Sequence, residues 1–294
     1  MPGWMRVGAF AAVLVLGGGP ARAADPIGIK IATWNMEWLT SRPAGDPALP
    51  DDAEPKQDAD IATLAGYATG LQATAVALEE VDDPALVARI FSPDRYQVLI
   101  TNDQVVQRVA LVVRRGITVT RHPDLAALDV SQAGRRHLRT GLDATLAVGG
   151  TSLRVLAVHL KSGCWEGPLG DTHRAACADL AAQLPVLQAW IAARQAEGVA
   201  FIVLGDFNRR LKAGDMFLAG LQRNAPLGVA TAGHASPCWG GEDFIDQILA
   251  GGPARLWMQP DSLRVLVYRE TNPDMKERLS DHCPVSVRFS LPQG

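Results

Sequence analysis

Several features are missing from this 294-residue sequence. It has no internal repeat and no long low-complexity tract, which excludes solenoids and disordered arrays. Charged residues make up only 20% against 48% hydrophobic, so the chain buries a core and is not disordered in bulk. There is no excess of positive charge: the formal net charge is -3. Overall electrostatics therefore do not mark a nucleic-acid binder, although local patches can override the total. Aromatic residues are 6% and no two are adjacent. The exposed aromatic hairpin that would serve a membrane-active lipase is thus absent, and Trp165, Trp239 and Trp257 read as single packing residues. None of the four cysteines shows zinc-site spacing. Beyond residue 23, no segment approaches the roughly 18 unbroken apolar residues of a membrane helix.

What is present begins with Arg6, an apolar stretch from Val7 to about Gly19, and Ala21-Arg22-Ala23. This charged, apolar, small-x-small order is that of a cleavable export signal. Residues 1–23 are expected to be removed, leaving 24–294 as one domain in a secreted or periplasmic protein. An uncleaved membrane anchor is the competing reading. Loss of Arg6 and Arg22, with no acid, takes the net charge from -3 to -5. In an exported chain an even cysteine count permits two disulfides. Cys164 and Cys177 bracket a short loop, and closing it would contribute about 3 kcal/mol in the chain-entropy model. Cys238 and Cys283 either pair or stay as buried thiols.

Along the chain, Ile27 to Trp34 reads as a strand with Ile29 and Ile31 on one side and Lys30, Ala32 and Trp34 on the other. A Pro- and Asp-rich loop follows from Thr40 to Pro55. Ile61, Leu64, Ala65, Ala68 and Leu71 fall at helical spacing, with Asp58 or Asp60 as cap. The segment "ATAVALEEV" is a short strand ending in Glu79 and Glu80. A helix over Pro84 to Ile90 and strands over Tyr96 to Ile100 and Val109 to Val113 come next. Two alternating runs joined by Gly149-Gly150 form a hairpin. A helix spans Ala175 to Glu197, where Pro185 predicts a kink or break. "AFIVLGDFN", "FIDQIL", "LRVLVY" and "PVSVRF" are further strands. Mixed strand–helix–strand units and antiparallel hairpins predict a layered α/β or α+β domain with helices outside the sheets.

Residues capable of chemistry recur at strand ends: Asn35, Glu80, His159, Asp206, Asn208, Asp246, Asp281 and His282. Singly, each has an ordinary reading as a turn cap or a satisfied polar residue, and His122, His137, His173 and His234 are left there. Asp246 inside an apolar strand is harder to explain without a partner. If the acids converge, they cannot all stay ionised unless some are protonated or a cation joins them. Oxygen ligands without a Cys or multi-His set suit Mg²⁺, Mn²⁺ or Ca²⁺. Histidines beside such a group point to phosphate chemistry.

The ordered pieces "TWN", "LEEV", "VHLKS", "GDFN", "IDQI" and "SDHCP" resemble the endonuclease/exonuclease/phosphatase superfamily of metal-dependent phosphoesterases. The resemblance runs from Asn35 nearly to the C-terminus. It implies a four-layered α/β/β/α sandwich of two mixed sheets. It implies that Glu80 holds the divalent metal with Asn35 and Asp281 near it. It further implies that Asp206 orients or activates the attacking water and that Asn208 binds the phosphate or helps place the water. By the same resemblance, His282, held by Asp246, acts as acid or base, and His159 donates to a phosphate oxygen.

Two positions depart from the family pattern. Glu79 stands where the family has Gln; with neighbouring strand residues alternating in direction, Glu79 is expected outside the site. Gln247 follows Asp246 where the family has Tyr or His. The acid that would pair with His159 has no evident position. Nuclease, phosphatase and sphingomyelinase-like members share this core. Arg135, Arg136, Arg139 and Lys161 can contact flanking phosphates or form a solvated basic turn. Asp46, Asp51, Asp52 and Glu54 predict an acidic rim that opposes a polyanion. The expectation is a nuclease-like phosphodiesterase whose partner is a phosphate ester such as nucleic acid. A phosphatase or lipid phosphodiesterase is the alternative within the class, and a catalytically idle binding module the alternative outside it.

Overall fold

The computed structural model describes residues 1, 25–51, 53–133, 135–171 and 173–293. Residues 2–23 of the segment expected to be an export signal, and Asp52, lie outside these described residues. The chain runs β1 (Ile27–Leu39), α1 (Asp58–Leu71), β2 (Ala75–Val81), α2 (Pro84–Ile90), β3 (Tyr96–Ile100) and β4 (Arg108–Arg114). It continues through β5 (Thr118–Arg121), β6 (Leu142–Val148), β7 (Thr151–His159), α3 (Ala175–Ala196), β8 (Phe201–Asp206) and α4 (Met216–Leu221). Last come β9 (Gly228–Val229), β10 (Ala235–Ser236), β11 (Glu242–Asp243), β12 (Asp246–Gly251), α5 (Ala254–Trp257), β13 (Arg264–Val265), α6 (Asp274–Leu279) and β14 (Val285–Leu291).

Among the described residues, six strands form one sheet in the order β13-β14-β1-β2-β4-β3, and six form a second in the order β5-β6-β7-β8-β12-β9. In the first, β1 and β2 are parallel, joined by α1; in the second, β7 and β8 are parallel, joined by α3. The remaining pairings are antiparallel. Strand alternation divides the apolar residues into three layers. Ile29, Ile31, Ala77, Val155, Ile202, Leu204 and Ile248 pack between the sheets. Trp34, Val76 and Leu78 pack outward under α1 and α2 with Leu64 and Val87. Leu156, Val158 and Val203 pack outward against Leu180, Leu187 and Trp190 of α3. The result is the expected four-layered sandwich.

Some local expectations differ from the structure. The helix cap is Gln57, and Asp60 serves from the third helical position, its carboxylate accepting the Gln57 N–H at 3.0 Å. Helix α3 is continuous through Pro185. By length and composition α3 could cross a membrane, yet Leu180, Leu187, Trp190 and Ile191 are buried against the second sheet. Within "LRVLVY" only Arg264 and Val265 pair as a strand. Tyr268 instead turns inward to hold the Asp281–His282 turn.

Both disulfides are present, Cys164–Cys177 and Cys238–Cys283. Their sequence separations of 13 and 45 residues correspond to about 3 and about 4 kcal/mol of loop-closure stabilisation. The second one tethers the chain just before β11 to the turn carrying His282.

Candidate active site

The same alternation that builds the inter-sheet core delivers the polar residues to one rim. Ile31 and Thr33 lead to Asn35; Val155 and Ala157 to His159; Ile202 and Leu204 to Asp206. Ile248 leads back to Asp246. Register brings the ends together: His159 is opposite Asp206, and Asp246 is opposite Asp206 on the other side. Gly205 allows this close approach. Its φ is +138°, and a Cβ there would meet the Val158 carbonyl oxygen at 1.9 Å.

Asp206 is the hub. Its Oδ2 accepts from Asn35 Nδ2 and Asn208 Nδ2, both at 3.1 Å, and its Oδ1 accepts the Asn208 backbone N–H at 2.7 Å. His159 Nε2 is 3.6 Å and His282 Nε2 4.0 Å from Asp206 Oδ2. Burial, with Asp246 adding to it and His282 opposing, raises the Asp206 carboxyl to about 7. The Asn208 amide also donates to the Leu160 carbonyl, so its nitrogen is engaged in orienting Asp206.

His282 Nδ1 is 2.8 Å from Asp246 Oδ2. Burial pulls the His282 pKa down, but Asp246, Asp206 and Asp281 outweigh it and raise it well above the usual histidine value. This imidazole is therefore held as a cation. His159 is the reverse case. Burial, then Arg139, keeps its pKa well below the ordinary value. Its Nδ1 is buried with no hydrogen-bond partner among the described residues, so no acid pairs with it there. Its Nε2 faces Glu80 Oε1 at 3.8 Å as well as Asp206.

Glu80 reaches the rim by a break in strand β2. Its φ is +60°, and the β2 pairing shifts register between Leu78 and Val81. Glu79 keeps the regular alternation, shares the inner face with Ala75 and Ala77, and is fully buried. The expectation that Glu79 lies outside the site is thereby corrected. Its carboxylate accepts from Thr33 Oγ1 at 3.0 Å. Burial, then Asp246 and Asp206, holds its pKa well above the carboxylate range. Glu79 is a neutral floor beneath the site.

The residues fit a hard divalent cation. Oxygen donors dominate, and the acids repel one another unless protonated or joined by a cation. Ligand atoms of Asp206, Asp246 and His282 lie within 4.8 Å of one another, but the His282 nitrogen nearest Asp246 is already hydrogen-bonded to it. Glu80 Oε1 is freer, with only a 3.5 Å contact from Asn35 Nδ2 and the 3.8 Å approach of His159. Asp246 Oδ1, buried with no partner among the described residues, is likewise unengaged. Asn35 stands beside it. Asp281 stands at the rim with its Oδ1 3.6 Å from His282 Nε2.

Beside this centre lies a cleft of about 580 Å³ lined by Trp38, Gln104, Gln107, Arg136, Arg139 and Lys161, among others. Arg139 is only 7% exposed. It donates to the Leu160 carbonyl at 2.6 Å, and its Nε has no partner among the described residues. Arg136 is exposed, and Arg135 pairs with Asp179. In the acidic loop, Asp46 lies 3.4 Å from Arg42, whose Nε is bound to Asp82, and Asp51 and Glu54 are exposed.

Sequence reasoning missed Glu37, Lys56 and Tyr268. Glu37 and Trp38 continue β1 past its expected end in left-handed conformations, φ 44° and 61°. Tyr268 OH accepts from Trp34 Nε1 at 2.9 Å and donates to the His282 carbonyl at 3.0 Å. Trp239, read as packing alone, stacks on Tyr268 and donates to the Ser280 carbonyl.

A sequence profile described as "Endonuclease/Exonuclease/phosphatase family" matches residues 32–282. No curated protein matches the chain. Among solved structures, truncated Caenorhabditis elegans TDP2 superposes with a TM-score of 0.59 at 16% identity, covering 90% of this chain and 98% of that one. The human Nocturnin catalytic domain with bound sulfate gives 0.57 at 17% identity, covering 92% and 96%. The Neisseria 3' phosphatase NExo, bound to a product DNA hairpin, gives 0.54 at 16% identity, covering 89% and 99%. These likenesses concern the fold.

Proposed function

Because the chain belongs to the endonuclease/exonuclease/phosphatase family, and is thus a phosphodiesterase/phosphatase-class hydrolase, we propose that it is an exported, divalent-metal-dependent phosphodiesterase acting on nucleic-acid strands. The observation that carries this reading is the convergence at Asp206. Asn35, 171 positions away, donates to it at 3.1 Å, and both histidines face the same carboxylate oxygen.

In this reading Glu80 holds a Mg²⁺ ion, or Mn²⁺ or Ca²⁺ in its place, with Asn35 and Asp281 beside it. Bound there, the ion supplies Lewis-acid neutralisation of phosphoryl and leaving-group oxygens. The protein groups do the rest. Asp206 Oδ2 and His282 Nε2 are 4.0 Å apart, so the water that Asp206 activates and the phosphoryl oxygen that His282 meets would be neighbours. Asp206, with a carboxyl near 7, accepts a proton from that water as the new P–O bond forms and the ester P–O bond breaks. His282, kept cationic and oriented by Asp246, presents a proton to the developing phosphoryl charge. Neutral His159 donates a hydrogen bond through Nε2 to a phosphate oxygen. Asn208 fixes the direction of Asp206.

The basic wall of the cleft supports a substrate with more than one phosphate. Arg136, Arg139 and Lys161 lie along it, where they would meet the phosphates flanking the scissile one. Export rests on the order of residues 6–23 and is favoured by the two disulfides, which persist in oxidising compartments.

The test is a substrate panel on the oxidised mature protein: plasmid DNA, RNA, bis-p-nitrophenyl phosphate and p-nitrophenyl phosphate, each with Mg²⁺ or EDTA. The reading expects Mg²⁺-dependent cleavage of a nucleic acid and of the diester. Turnover of the monoester alone would make it a phosphatase. No metal-dependent turnover on any substrate would leave a binding module on this fold.

A further inference from the structure

His282 and Asp246 meet at 2.8 Å, but they come from different sheets. His282 stands just before β14 in the first sheet, and Asp246 opens β12 in the second. A hydrogen-bonded pair split in this way keeps its geometry only as well as the two segments keep theirs. Ser280 and Tyr268 fasten the His282 turn to β1, through the Asn35 carbonyl and the Trp34 indole. Both of those ties end in the first sheet.

The Cys238–Cys283 bond runs the other way. Cys283 is the residue after His282, and Cys238 begins the segment that leads through β11 into Asp246. Among the described residues this bond is the one covalent cross-link between the two sides of the pair. It also anchors their noncovalent contact. Trp239, next to Cys238, is left-handed at φ 45°, and Gly240 and Gly241 follow at 104° and 100°. A tryptophan keeps such a conformation only where its surroundings impose it, and two glycines leave the run free to swing once it is unanchored. Held as it is, Trp239 stacks on Tyr268 with centroids 5.3 Å apart and donates to the Ser280 carbonyl at 2.9 Å. Both cysteines are buried, so the bond, once formed, is shielded from exchange with small thiols.

We propose that this disulfide is a positioning element of the active site: it sets the His282–Asp246 pair, so that the chain is catalytically competent only after Cys238 and Cys283 are oxidised. In that step the two thiols lose two protons and two electrons as the S–S bond forms. A disulfide oxidant takes the electrons, its own S–S bond being reduced to two thiols. The reduced chain keeps every site residue and loses the alignment of the pair. The proposal rests on the reading above, in which His282 held by Asp246 is the acid. Cys164–Cys177 joins neither side of the pair and serves as the control.

The experiment compares the full oxidised chain with Cys238→Ser/Cys283→Ser and with Cys164→Ser/Cys177→Ser. It reads kcat and KM on bis-p-nitrophenyl phosphate with Mg²⁺, and the low-field proton NMR signal of His282 Nδ1–H bonded to Asp246. Cys238→Ser/Cys283→Ser should lose about tenfold or more in kcat with KM little changed, since a positioned acid is worth about 10²–10⁴. Its His282 signal should shift or vanish while melting stays cooperative. Cys164→Ser/Cys177→Ser should keep both kcat and the signal at a temperature where it is folded. Wild-type kcat, or an unmoved signal, in folded Cys238→Ser/Cys283→Ser overturns the inference, as do equal losses from the two variants. An oxidised wild type that hydrolyses no diester overturns the reading above, and the NMR signal then still decides whether the bond sets the pair. Should Cys238→Ser/Cys283→Ser fail to fold, oxidised Cys164→Ser/Cys177→Ser is reduced with a phosphine in sub-denaturing urea. Loss of kcat and of the signal, both restored by oxidised glutathione, is then the expected result, and no change overturns the inference.

Discussion

The hydroxyl of Ser280 donates a 2.7 Å hydrogen bond to the backbone carbonyl of Asn35. The same oxygen accepts the His282 backbone N–H at 2.9 Å. One side chain therefore fastens the end of β1 to the turn that carries Asp281 and His282. Tyr268, Trp239 and the Cys238–Cys283 bond hold that turn from its other sides. Asp is a poor strand former, and here Asp281 and His282 stand at a strand entrance because these contacts fix them there.

Ser280→Ala removes both bonds, one to a buried carbonyl and one from a part-buried N–H. The expected loss of stability is about 1–3 kcal/mol, read as a shift in urea midpoint. Turnover should fall as well at a temperature where the variant is fully folded. A variant with wild-type stability and turnover would show that the tie is unimportant.

His282→Ala should lower turnover by about 10²–10⁴, the usual worth of a positioned acid or base, with the melting curve still cooperative. Less than a tenfold loss in a folded variant removes His282 from that role.

Arg136→Ala and Lys161→Ala separate flanking contacts from chemistry. On an oligonucleotide each should raise KM, and each lost phosphate contact should reduce the slope of log affinity against log salt by about 0.7 for a single strand. Bis-p-nitrophenyl phosphate has no flanking phosphate and should be hydrolysed at an unchanged rate. Equal losses on both substrates would place the residues in the chemistry instead.

Burial, with Asp281 adding to it, raises the Glu37 carboxyl to about 9. A folded pKa above the unfolded one means that the folded state holds the proton more tightly. The associated stability is full below the unfolded pKa, about 4.5, and is lost as pH rises toward about 9. The difference between wild type and Glu37→Gln reads the contribution of Glu37 together with its interaction with Lys56. In EDTA, wild type should lose stability relative to Glu37→Gln between pH 5 and pH 9. A constant difference would mean that Glu37 does not titrate in this range.

Much of the fold and the site was legible because both follow period two. Ile29 and Ile31, Ile202 and Leu204, and Ile248 announce the buried face, and Asn35, Asp206 and Asp246 continue the same parity to the rim. The resemblance supplied the order of the six pieces. What was illegible lay where the period breaks. Glu80 itself was legible at the strand end and from the resemblance, but its left-handed backbone was not, and this altered the placement of Glu79. Glu37 and Lys56 sit in segments that read as a strand end and a surface loop; only tertiary contact makes the lysine buried. Tyr268 looked like part of a strand, because alternation in "LRVLVY" does not reveal that a hydroxyl is needed at the His282 carbonyl.

The most direct test of the central claim is the anomalous scattering of Mn²⁺ in crystals of wild type and of Glu80→Gln. A single peak at the Glu80 carboxylate, among Asn35, Asp281 and Asp206, that weakens or vanishes in Glu80→Gln is the predicted result. An ion bound away from this rim, or a peak indifferent to the substitution, would contradict it.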